Sequence, residues 1–109
     1  MAVNEDYLSF LKDQLSHIGE IEIKKMFGGY GFFKEGLMFA MIGNNAFRLK
    51  VDDTNKQDFI DKGMEPYHST TKEKGMPYWE VPVDVLEDQS VLTTWAKKAI
   101  QVAKAAASK

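Results

Sequence analysis

Cysteine is absent from the 109 residues, which removes disulfides, thiolate nucleophiles and cysteine-bound zinc together. Stability must come from packing, and the composition fits a reducing compartment. Histidine is scarce: His17 falls in the last turn of a predicted helix, where it would suit the helix dipole, and His68 has no second histidine or carboxylate at a recognisable ligand spacing, so no metal site is expected. No apolar run approaches the roughly 20 residues of a membrane span. The acidic start, Met1-Ala2-Val3-Asn4-Glu5-Asp6, lacks the basic and then apolar stretches of a secretory signal, so a cytoplasmic location is expected. An excess of positive charge is missing too. The 14 basic and 16 acidic residues leave a net charge of −2, so no bulk field favours nucleic acid and any such contact would need a local patch.

What is present is periodicity and a wealth of aromatic–glycine segments. From Asn4 to Ile18 the apolar Tyr7, Leu8, Leu11, Leu15 and Ile18 recur at three- and four-residue intervals, which predicts a helix opened by Asn4 and closed by Gly19. Between Ile21 and Val51 the pattern becomes β-branched and aromatic, broken at Gly28-Gly29, Glu35-Gly36 and Gly43-Asn44-Asn45. That is the signature of an antiparallel meander, with strands near 21–27, 30–34, 37–42 and 46–51. Gly28, Gly29 and Gly31 match no phosphate-loop spacing and lead into a strand, so turn and close backbone packing are their expected roles. In the fourth strand Phe47, Leu49 and Val51 face one way, and Arg48 and Lys50 the other. The third strand, Leu37 to Ile42, is apolar on both sides and is expected to be covered twice, by helices and by the rest of the monomer or a second subunit.

Further on, Thr54 to Lys62 reads as a short helix capped by Thr54, with Phe59 and Ile60 inward and Gly63 at its end. Met64 to Gly75 reads as a polar loop. Met76 to Val83 returns as a strand bracketed by Pro77 and Pro82, which suits an edge. A last helix over about Asp88 to Ala106 carries the stripe Leu92, Trp95, Ala96, Ala99, Ile100 and Ala103, with Asp84, Glu87 and Asp88 gathered at its start. The order is α-β-β-β-β-α-β-α: an α+β fold with a mostly antiparallel sheet of about five strands and N-terminal, middle and C-terminal helices, in one domain over 1–109.

For chemistry, no nucleophile stands beside a base, and no carboxylate pair or metal triad is apparent. No catalytic residue and no cofactor are expected. Lys24, Lys34, Arg48, Lys50, Tyr78 and Trp79 are the expected interaction surface. A protein partner is the leading expectation, with a homodimer suggested by the third strand. The alternatives are a nucleic-acid-binding accessory protein using a basic sheet face, which the net charge does not favour, and, less favoured still, a small-molecule enzyme with a polar pocket near Tyr67, His68 or Glu80.

Met26-Phe27-Gly28-Gly29-Tyr30-Gly31, Phe39-Ala40-Met41-Ile42, Phe47-Arg48-Leu49-Lys50 and Met76-Pro77-Tyr78-Trp79-Glu80-Val81-Pro82, with Trp95 and Ala99, resemble in order and spacing the N-terminal domain of the TfoX (Sxy) competence regulators. The resemblance covers nearly the whole chain. It implies an α+β, secretion-chaperone-like fold. It also implies a non-enzymatic regulatory role in expression of DNA-uptake (competence) genes, and many relatives carry a separate C-terminal domain after this one. It brings no established catalytic residue.

Overall fold

The computed structural model describes residues 5–26, 29–43, 46–64 and 77–108. The first stripe forms α1 (Glu5–Gln14), followed by a 3-10 turn at Ser16–Ile18 that holds Leu15 and Ile18 in the core. Gly19, at φ 88°, ends the turn in a conformation that side chains disfavour. Asn4 lies outside the described residues.

Four strands follow as a meander: β1 (Glu22–Met26), β2 (Gly29–Lys34), β3 (Leu37–Gly43) and β4 (Ala46–Lys50). Glu35 at φ 53° and Gly36 at φ 82° make the two-residue turn between β2 and β3, the backbone that matches strand twist. α2 (Lys56–Ile60), β5 (Tyr78–Glu80), α3 (Val83–Glu87) and α4 (Gln89–Ala107) complete the chain. The sheet is antiparallel throughout in the order β1-β2-β3-β4-β5. It is an α+β fold with the expected order of elements.

The helices lie on one face. Phe32, Ala40, Ile42, Phe47 and Leu49 point into that side and are fully or almost fully buried, with Phe32 and Phe47 in edge-to-face contact at 5.3 Å. α4 crosses β3 and β4. Its small buried residues Ala96, Ala99 and Ala103 let the helix axis approach the strands, while Leu92, Trp95 and Ile100 fill the flanks. Phe59 of α2 closes the core from below, with its ring 4.6 Å from Trp95 and 5.9 Å from Trp79.

Strict alternation fails in β3. Phe32 pairs with Ala40 and the next residue, Phe33, pairs with Met38, so Phe39 is the extra residue of a bulge. Phe39 and Ala40 are therefore both buried in the core, and Met38 and Met41 are left on the opposite face. On the helix side β3 is covered as expected; on the other side, among the described residues no helix lies over Met38 and Met41, and both are half-buried.

Other expectations are corrected in detail. Thr54 does not cap α2; its amide and hydroxyl both donate to the Asp52 carboxylate. The residue before the helix is Asn55, which is buried, donates to the Lys50 carbonyl at 3.1 Å and accepts from the Asp52 amide at 2.9 Å. With one side chain it closes the turn from β4 into α2. Ile60 faces out, 46% exposed, because it follows Phe59 directly and consecutive helical residues point about 100° apart, so with Phe59 inward Ile60 turns away from the core. The returning strand stops at Glu80, and Pro82 redirects the chain: its carbonyl accepts from the amides of Val85 and Leu86 at 3.1 Å. Asp84 and Glu87 thus belong to α3 and not to α4. Asp88, extended at ψ 96°, breaks the two helices apart and caps α4 by accepting from the Val91 amide at 3.2 Å.

Candidate interaction face

On the face that no helix covers among the described residues, the bare face below, register aligns one row of residues from Lys24 through Gly31, Met41 and Arg48 to Glu80. Cross-strand neighbours share a face. Phe33 and Met38 form a second row with Glu22 on one flank, and Lys50 and Tyr78 a third on the other. Two cations lie over rings here: the Lys24 ammonium is 5.0 Å from the Phe33 centroid and that of Lys50 is 5.8 Å from Tyr78. Both contacts hold flexible lysines beside apolar surface without burying the charge.

Arg48 is different. Only 6% exposed, it donates from Nη1 to the carbonyl of Gly43 and, at 3.4 Å, to that of Ala46. The guanidinium therefore ties the end of β3 to the start of β4.

Of the six residues expected to form the surface, the fold places Lys24, Arg48, Lys50 and Tyr78 on one face of the sheet, with Arg48 and Tyr78 each only 6% exposed, and puts two elsewhere. Trp79, one residue after Tyr78, points to the helix side against Phe59. Lys34 pairs with Leu37, also on the helix side, where its ammonium donates to the Glu20 carbonyl at 3.1 Å. There it borders an open groove of about 420 Å³ with Ile18, Thr94, Lys97, Lys98, Ile100 and Gln101. Phe33, Met38 and Met41 also belong to the face, beyond the six expected residues. Tyr67 and His68 lie outside the described residues. Among the described residues no three His, Asp or Glu side chains gather to hold a metal ion, and no helix is long and apolar enough to cross a membrane.

Two phenols near this face are perturbed. Burial pushes the Tyr7 hydroxyl above its ordinary 10.0; a backbone hydrogen bond at Phe47 opposes this, Glu80 adds to it and Arg48 offsets it. Burial alone raises Tyr78. The folded protein therefore keeps these protons when the unfolded chain begins to lose them near pH 10.0. Their contribution to stability is complete below that pH and is lost as pH climbs through the raised native values. Urea midpoints measured from about pH 8 to about pH 11 should fall at the alkaline end, and the Tyr7→Phe/Tyr78→Phe double variant should flatten that fall. An unchanged slope would show that the phenols are not buried as described.

The architecture is that of an α+β protein with one sheet face packed by helices and the other left partly apolar between charged flanks. The family profile of the TfoX N-terminal domain matches residues 13–103. The chain belongs to that family, which is linked to competence regulation and is not known as a family of enzymes. Comparison with curated proteins finds no match.

Proposed function

We propose that this chain is a non-enzymatic regulatory domain, one folded unit over 1–109, which acts in the cytoplasm on expression of DNA-uptake genes by docking a protein partner on its bare sheet face. The observation that supports this most is the patch of Phe33, Met38 and Met41, half-buried and flanked by Lys24 and Lys50. Apolar centre with charged rim is the anatomy of a protein interface. The matching partner surface is apolar, with carboxylates opposite the two lysines.

The nucleic-acid reading is weaker on this geometry. Bases stack on exposed rings, yet Tyr78 is 6% exposed and Phe33 lies under Lys24.

In the native host, Met41→Glu combined with Lys50→Glu should reduce transcripts of DNA-uptake genes to nearly the level seen without the gene, at unchanged protein abundance. Lys97→Glu, on the helix side, should leave them intact. Full transcription with the double variant would contradict the proposal. Salt-sensitive binding of single-stranded DNA by the purified protein, lost in the same variant, would favour the nucleic-acid reading instead.

A further inference from the structure

The two edges of the sheet are not alike. β5 has three residues, with Pro77 before it and Pro82 two positions after it, a length and composition that resist strand addition. β1 has five residues and no proline. Its charges are arranged antisymmetrically: Glu22 and Lys24 lie on the bare face either side of Ile23, which faces the helices opposite Phe32. On that helix side an open groove of about 260 Å³ runs beside the strand, lined by Lys12, Leu15, Ser16, Gly19, Ile21 and Ile23.

A second copy can join this edge only in registers that keep each residue on its own face, because a two-fold axis perpendicular to the sheet preserves faces. Centred on Glu22, the pairing opposes Glu22 to Glu22. Centred on Lys24, it opposes Lys24 to Lys24. Like charges directly opposite are destabilising, so both are disfavoured. Centred on Ile23, each Glu22 stands across from the partner's Lys24, the two Ile23 side chains meet at the mouths of the grooves, and the stem of Lys25 lies along the partner's Ile21.

We infer that β1 is a self-association edge on which a second copy of this chain pairs antiparallel about Ile23, continuing one sheet into the other. The interface is small, so the dimer is dissociable. It goes beyond the docking face and does not rest on it: Met41→Glu leaves the pairing intact, so failure of one proposal is separable from failure of the other.

Sedimentation equilibrium of the full chain up to millimolar concentration tests it. The wild type should self-associate, and Glu22→Lys or Lys24→Glu alone should each weaken association about tenfold or more, since two attractive pairs become two repulsive ones. The Glu22→Lys/Lys24→Glu double variant should regain it. Mixing the two single variants in equal amounts should also give a mixed dimer, which excludes misfolding as the cause of their loss. A monomer at every concentration would overturn the inference, as would single variants that associate like the wild type.

Discussion

Gly29→Ala should destabilise the protein by on the order of 3 kcal/mol, at the upper end of what overpacking costs. A Cβ at this position would stand 1.9 Å from the Ile42 carbonyl oxygen and 3.0 Å from its carbon. Both are backbone atoms of β3, so no side chain can swing away, and relief requires β2 to separate from β3 at the pairs that begin with Tyr30 and Ile42. Gly36 provides the contrast. A Cβ there meets nothing within 4 Å, and only its φ of 82° resists substitution, so Gly36→Ala should cost roughly 1–2 kcal/mol from left-handed strain. Urea unfolding of the two variants gives the comparison. Equal losses would mean that the close approach of β2 to β3 is wrong.

The second large effect is expected at Phe59→Ala, at about 3–5 kcal/mol. Phe59 is 1% exposed and is the ring through which Trp79 of β5 and Trp95 of α4 both reach α2. Truncation leaves a cavity bounded by three different elements, which cannot all collapse inward together. These are the only two tryptophans in the chain, so their emission should shift to the red as water enters. A loss below about 1 kcal/mol with unchanged emission would place Phe59 outside the core, since surface changes stay within about ±0.5 kcal/mol.

Periodicity made much of this architecture legible. The α4 stripe was readable because Leu92, Trp95, Ala96, Ala99, Ile100 and Ala103 repeat at helical spacing, and all six are buried. Alternation in β4 was readable because Arg48 and Lys50 interrupt Phe47, Leu49 and Val51. The bulge at Phe39 was not, since a run of apolar residues looks the same with or without an extra member. Nor was α3: Val83 reads as the end of the returning strand, and Asp84 and Glu87 as acids at the start of a helix from about Asp88, where α4 does begin, capped by Asp88.

The face was half legible for a related reason. Alternation can say which residues of one strand share a side, but only register joins Lys24 to Gly31, Met41 and Arg48. The same rule already separates Tyr78 from Trp79, because consecutive strand residues point to opposite faces. The run from Leu37 to Ile42 showed that β3 has two apolar sides, but not that Met38 and Met41 lie on the same one. Three apart in a strand, they share a face only because the bulge lies between them.

A chain without cysteine allows the docking claim to be tested by placing a single thiol at Met41, in the middle of the bare face. The Met41→Cys protein should react readily with a soluble maleimide when purified, and should be protected in the living host, where its partner is present. A thiol at Ala40, buried under α4, should stay unreactive in both settings. Equal reactivity of the Met41 thiol in the purified protein and in the cell would contradict the account.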